Sequence, residues 1–192
     1  MKKLTIIVPN RHGEDPVLTV KSLYKQTFMD FDIIIINDTD GNANIARNKG
    51  FGMVNTPYVL FSDNDINWCP EALAQMYNML QKRKDISFSW GSYEMNSKFY
   101  CNRYWDEKEL LKRNYISTMT MVRTTDHPGF DPRIKRLQDW DVWLTMLSQG
   151  KKGEWTGGIA FSTPVRDGIT RSSISWDEAM ATIKAKHKQL FN

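Results

Sequence analysis

The sequence predicts an α/β fold: a mixed, mostly parallel sheet flanked by helices. Three observations carry this. Short β-branched and apolar runs recur at Leu4–Val8, Phe31–Ile36 and Tyr58–Phe61. Segments with helical spacing separate them, and strands alternating with helices imply parallel pairing with both faces covered. Each run also ends abruptly in a polar cluster: Pro9-Asn10-Arg11, Asn37-Asp38 and Asp63-Asn64-Asp65. In such sheets ligands bind beyond the carboxyl ends of the strands, so the three clusters belong to one functional edge.

The elements follow in order. Leu4–Val8 reads as a strand buried on both faces. Asp15-Pro16 is an N-cap followed by proline at the first helical position, opening a helix to about Gln26 with Val17, Val20, Leu23 and Tyr24 as its apolar face. Phe31–Ile36, ending in four isoleucines, is the second strand, and residues 42–51 form the second helix. After the Tyr58–Phe61 strand, Pro70 starts an amphipathic helix with Leu73, Met76, Tyr77 and Leu80 on one side. Ile86–Tyr93 is a further strand.

Residues 94–116 mix aromatic and charged types and read as a loop over the sheet edge, with a short helix at Glu107–Arg113. A strand at Ile116–Val122, a turn at Pro128–Pro132 and a helix at Gln138–Gln149 follow. A strand at Trp155–Phe161 is expected to break at Gly157-Gly158. Ser175-x-x-Glu178 fits a capping box for a tail helix lined by Trp176, Met180 and Ile183, with Lys184, Lys186 and Lys188 opposite. That basic amphipathic segment, 175–192, suits packing on the domain, with peripheral contact to anionic lipid as the alternative. The whole chain, 1–192, reads as one domain made of two halves, 1–93 and 94–174, and the tail helix at 175–192.

Composition sets bounds. A hydrophobic content of 41% supports a real core and excludes a disordered chain. A net charge of +4 is too small and too dispersed to indicate nucleic acid. Cys69 and Cys101 have no metal-site or disulfide spacing, which points to a reducing, cytoplasmic setting. The LTIIV run before Pro9 is too short for a signal-peptide core, and no apolar stretch reaches membrane-spanning length.

Tyr58–Trp68, YVLFSDNDINW, carries the chemistry. An apolar strand runs straight into Asp63 and Asp65, and two carboxylates one residue apart suit a hard cation such as Mg²⁺ or Mn²⁺. Such ions take one or two protein carboxylates together with substrate phosphates. A plain polar turn is the competing reading. Arg47 and Lys49 read as a solvated helix face.

Taken together these segments resemble family 2 glycosyltransferases of the Rossmann-like GT-A fold. Ile7-Val8-Pro9-Asn10, the stretch Ser22–Ile34 (SLYKQTFMDFDII), Asn37-Asp38-Thr39-Asp40-Gly41, Ala46-Arg47-Asn48-Lys49-Gly50, Asp63-Asn64-Asp65, Gly129-Phe130-Asp131 and Gln138–Leu144 (QDWDVWL) occur in the family's order. The resemblance implies inverting transfer of a sugar from a nucleotide-sugar donor, a UDP-sugar by preference, to a hydroxyl of a glycan or other acceptor. It implies Asp65 as direct Mn²⁺ or Mg²⁺ ligand with Asp63 as second ligand or ribose contact. Pro9, Asn10, Asp38, Arg47, Asp63 and Asn64 would hold the nucleotide, and Asp139 would be the general base. Asp141, two residues on, is the alternative base, and helix N-termini attract acids regardless.

Four departures from the family pattern stand out. The chain between Asp38 and Asp63 is shorter by one βα unit. Asn37 leaves Asp38 without the usual second acid, and Gln138 replaces a glutamate. Asp167, after Val165-Arg166, stands near where the family has a metal-binding histidine. A sugar-phosphate nucleotidyltransferase is a poorer fit, because Pro9-Asn10-Arg11-His12-Gly13 is not a glycine-rich basic loop. A non-catalytic nucleotide- or glycan-binding module is the other alternative.

Overall fold

The computed structural model describes residues 1–11, 13–38, 41–163 and 174–191. Among them the strands are β1 (Leu4–Arg11), β2 (Phe31–Asp38), β3 (Tyr58–Phe61), β4 (Asn67–Trp68), β5 (Phe88–Met95), β6 (Lys98–Tyr100), β7 (Met121–Arg123) and β8 (Gly153–Ser162). The helices are α1 (Val17–Leu23), α2 (Ala43–Phe51), α3 (Ala72–Lys82), α4 (Glu107–Lys112), α5 (Gln138–Ser148) and α6 (Trp176–Lys186).

One sheet holds all the strands, in the order β2-β1-β3-β7-β5-β8-β4, with β6 paired to β5. The β1–β2, β1–β3 and β5–β8 pairs are parallel, and β7 joins β3 to β5 by antiparallel pairing to both. Strands β1, β2, β3, β5 and β8 therefore all point the same way, and their carboxyl ends share an edge. Only the short β4, β6 and β7 run against them. Strand β2 ends the sheet, and α2 follows it with no strand between, as the shortened segment after Asp38 implies.

Strand alternation divides the core into two layers. Leu4, Ile6, Val8, Tyr58 and Leu60 face one side and pack with Leu23, Leu73, Met76 and Leu80. Ile7, Val59 and Phe61 face the other and pack with Phe88, Trp90, Trp140, Trp143 and Ile183. The period of two sends successive side chains to opposite faces, so strands clothed on both sides are apolar throughout. Gly50 lets α2 lie close on β1: a Cβ there would sit 2.6 Å from Ile7 Cγ2.

Several elements differ from expectation. The α1 face toward the protein is Thr19, Ser22 and Leu23, while Val17 and Tyr24 are exposed. Polar residues win because they have backbone to bind: Thr19 Oγ1 donates to Ile66 O and accepts from Ile66 N, and Ser22 Oγ accepts from Trp68 N. The strand expected at Ile116–Val122 shrinks to β7, and the preceding residues form cleft wall instead. Strand β8 is not broken at Gly157-Gly158. It passes through a register shift against β5, with Gly157 at φ +83°.

Four aromatic side chains line up across four strands. Tyr100 (β6) pairs in register with Tyr93 (β5), Tyr93 with Phe161 (β8) and Phe161 with Trp68 (β4). Ring centroids along this row are 5.1, 5.0 and 5.4 Å apart. Such cross-strand aromatic pairs contribute to sheet stability and fix register.

Candidate active site

The strand exits meet as their polarity implied. Asn10 is buried at the end of β1, where its Nδ2 donates to Asn37 Oδ1 at 3.1 Å. Asn64 Nδ2 donates in turn to Asn10 Oδ1 and Glu14 Oε2, at 2.8 and 2.7 Å. Pro9 precedes this group, half-buried. Backbone pairing sets Asp38 opposite Arg11 at the same edge. The side chain of Asp38, His12 and Asp167 all fall outside the described residues.

Arg47 comes from α2 and is buried. Its guanidinium donates to Asp63 Oδ1 at 3.0 Å and Asn44 Oδ1 at 3.3 Å, and lies over the Phe130 ring, 5.2 Å from the centroid. Asn44 Nδ2 donates to the carbonyls of Asp131 and Ile134, and Asn48 pairs with the backbone of Phe130 in both directions. One helix thus fixes both the acidic loop and the segment leading into α5.

Helix α1 holds the acidic loop from behind. Thr19 Oγ1 is within 3.0 Å of Asp63 O and 2.8 Å of Ile66 N. Gln26 Nε2 donates to Cys69 O, and its Oε1 accepts from Leu73 N. The buried amides of Ile66, Trp68 and Leu73 find their acceptors in Thr19, Ser22 and Gln26, and a buried amide left without one costs about 1–3 kcal/mol. Sequence pattern gave no sign of this role, because Thr, Ser and Gln at helical spacing look like a solvated face.

A cleft of about 740 Å³ opens at this edge. Asp63 and Asp65 line it on the strand side, and Asp139, at the start of α5, lines it as well. Tyr93, Tyr100 and Phe161 of the aromatic row form its floor. Its far wall comes from the segment read from sequence as a loop with a short helix, including Asn102, Arg103 and Asn114, and from Ser117 of the expected Ile116–Val122 strand. Buried indoles tack that wall to the core: Trp90 Nε1 donates to Cys101 O, Trp140 Nε1 to Leu110 O and Trp143 Nε1 to Ile116 O. The signal was the tryptophan content, since a buried indole N–H needs an acceptor.

The two candidate bases part company. Burial raises the pKa of Asp139 above the ordinary carboxylate range, against the lowering effects of the Trp140 amide, the nearby Arg47 charge and the Asn114 side chain. Asp141 turns away from the cleft: its carboxylate is buried and lies 2.8 Å from both Lys186 Nζ and His187 Nε2 of the tail segment. The residue before this pair of turns, Leu137, takes φ +63°, the left-handed region that a leucine rarely adopts, and caps α5 there in place of Asp139. The tail helix packs on the domain, with Ala179 and Ile183 buried and the Ser175–Glu178 capping box formed.

Among the described residues no group of three or more His, Cys, Asp or Glu could hold a metal ion by itself. Asp63 and Asp65 suit a different arrangement, a cation shared with a ligand's phosphates. No helix among the described residues is long and apolar enough to cross a membrane.

The profile of glycosyl transferase family 2 matches residues 39–142, more than half of the chain. The chain belongs to glycosyl transferase family 2. The family 2 domain is similar to "Putative teichuronic acid biosynthesis glycosyltransferase TuaG" of Bacillus subtilis, at 23% identity over 77% of this chain and 73% of that protein. It is 26% identical to an uncharacterized glycosyltransferase of Haemophilus influenzae, over 76% of this chain and 62% of that one. Among solved structures, S. aureus TarS residues 1–349 in complex with UDP-GlcNAc superposes with a TM-score of 0.76 at 15% identity, covering 96% of this chain and 66% of that one. The chain thus spans just under two thirds of those two proteins. The likeness to TarS identifies the fold as GT-A, a curled, mostly parallel sheet with flanking helices.

Proposed function

We propose that this family 2 domain is an inverting, metal-dependent glycosyltransferase that takes a nucleotide-sugar donor, with UDP-GlcNAc in the TarS complex favouring a UDP-sugar. The observation that carries it is one cleft lined by Asp63, Asp65 and Asp139, at the carboxyl ends of the parallel strands. The nucleoside would lie toward Pro9, Asn10 and Asp38, with Asn64 beside it, and the sugar over the aromatic floor.

Asp65 would hold Mn²⁺ or Mg²⁺ directly, as the family resemblance implies, while Asp63 gives one oxygen to Arg47. When bound, such an ion offsets the charge developing on the departing nucleoside diphosphate. Arg47 restrains Asp63, and its buried Nε has no protein partner among the described residues.

Asp139 takes the proton of the acceptor hydroxyl as that oxygen attacks the anomeric carbon. The bond from that carbon to the diphosphate oxygen breaks, and the diphosphate leaves with its electron pair. Attack opposite the leaving group inverts the anomeric centre. A raised Asp139 pKa strengthens the base, since proton transfer is favoured as base and operating pH approach each other.

A thermal-shift panel of UDP-, GDP-, CDP- and dTDP-sugars, each with and without Mn²⁺, tests this. Stabilisation by one nucleotide class that depends on the metal and vanishes in Asp65→Ala is the expected result. Absence of any nucleotide shift in the wild type would sink the reading.

A further inference from the structure

We propose that a saccharide ring of the acceptor is seated at the mouth of the cleft on Trp176 and Phe99; this rests on the glycosyltransferase reading above. Both side chains line the cleft, and both are 52% exposed. Their exposure is unlike that of Trp90, Trp140 and Trp143, which are buried with their indole N–H groups bonded. Leaving two large aromatic rings half in water is unfavourable unless something covers them.

Each ring is held in place. Trp176 is the first residue of α6, directly after Ser175, whose capping box fixes the helix start. The Arg136 guanidinium lies over the Trp176 ring, 5.3 Å from its centroid, and its Nη1 donates to Ile174 O at 3.0 Å. One ring face is thus taken by a cation, while the residue as a whole stays 52% exposed. Phe99 stands on β6 opposite Glu94, beyond a two-residue turn in which Asn96 and Ser97 have φ of 54° and 56°. Such primed turns give stiff hairpins.

The polar groups nearby complete the chemistry. A sugar ring has apolar C–H faces and a rim of hydroxyls, so it asks for flat aromatic surface with amide and guanidinium groups at the edges. Asn102, Arg103 and Asn114 line the same cleft. Asn114 is also a hydrogen-bond partner of Asp139, which connects the seat to the base. A ring held there would offer a hydroxyl on the Asp139 side, as transfer requires.

The test is direct binding, independent of turnover. Methyl glycosides of glucose, galactose and N-acetylglucosamine, and the β-1,4-linked disaccharides of each, are titrated by saturation-transfer NMR and intrinsic fluorescence. UDP and Mn²⁺ are present, and the UDP thermal shift is recorded on the same samples. At least one disaccharide should bind the wild type, with quenching or a shift of Trp176 emission. Trp176→Ala and Phe99→Ala should each weaken it by about fivefold or more, and Trp176→Phe should recover part of the loss. The UDP shift should be the same in all variants. Saccharide binding that is absent from the wild type, or unchanged in both alanine variants, overturns the seat. A missing UDP shift with saccharide binding intact overturns the donor reading instead.

Discussion

Arg47 Nη2 lies 3.0 Å from Asp63 Oδ1, joining a buried cation on α2 to the first carboxylate of the cleft. Only a tenth of the Arg47 side chain is exposed, but 43% of the Asp63 side chain is, so solvent screens the pair and its contribution falls toward the ~1 kcal/mol of an exposed pair. Arg47→Ala should lower the melting temperature and weaken metal-dependent nucleotide binding together. Arg47→Lys should restore the charge but not the double contact to Asp63 and Asn44, and so recover only part of the binding. Calorimetric titration with the nucleotide identified by thermal shift measures both.

Asp139→Asn is expected to keep donor binding and to lose transfer by about 10²–10⁴-fold, the usual contribution of a positioned general base. Because burial raises the Asp139 pKa, the acidic limb of the transfer rate should fall at higher pH than an ordinary carboxylate would give. Asp141→Asn should behave differently. It disturbs the contact with Lys186 and His187, so chemical denaturation should report lost stability, while the position of the acidic limb stays put. A pH profile that moves in Asp141→Asn but not in Asp139→Asn would reverse the assignment.

His127 gives a stability signature. It is buried among the rings of Phe51, Phe61 and Phe130, and burial pushes its pKa down to about 3. The folded pKa is below the unfolded one, so the unfolded chain binds the extra proton first. Stability is complete above the unfolded value of about 6.5 and is lost as pH falls toward 3, with a slope of about 1.4 kcal/mol per pH unit from this group. Nδ1 accepts from Gly129 N, a bond that Asn at 127 can imitate without titrating. His127→Asn should be less stable at neutral pH, from lost packing, and show a shallower decline in urea melts between pH 6.5 and 4.

Thr19→Val removes a hydroxyl while keeping the shape of the side chain. The amide and carbonyl of Ile66 and the carbonyl of Asp63 then lose a buried partner, at about 1–3 kcal/mol. Loop-specific loosening is expected: faster hydrogen exchange over residues 63–68 and weaker Mn²⁺-dependent nucleotide binding. Unchanged exchange there would show that α1 does not hold the loop.

The parts of the fold that were legible in the sequence are those where pattern and burial coincide. Strands β1 and β3 are apolar because they are covered on both faces, and their polar exits follow from where the helices cease to cover them, whereas β2 at the sheet edge leaves Ile35 exposed. The α1 face was misread because helical periodicity counts hydrophobes, whereas Thr19, Ser22 and Gln26 are buried by hydrogen bonds to distant backbone. Of the wall at 101–119 only the short helix α4 was legible, because indoles from two other segments, β5 and α5, determine the shape of the rest. Asp139 and Asp141 share one turn in sequence, and only the tail's Lys186 and His187 separate their roles. The aromatic floor was invisible for the same reason, since its neighbours lie on different strands.

The aromatic row also bears on how the protein folds. Trp68, Tyr93, Tyr100 and Phe161 adjoin only after segments nearly a hundred residues apart have registered, and distant pairing forms late because closing long loops costs entropy before contacts repay it. A chain still being synthesised, with residue 161 not yet released, can fold β1–α1–β2 but has no complete cleft to offer a sugar. Binding competence should therefore arise in one step with completion of the sheet, so that no partly folded species intercepts the donor.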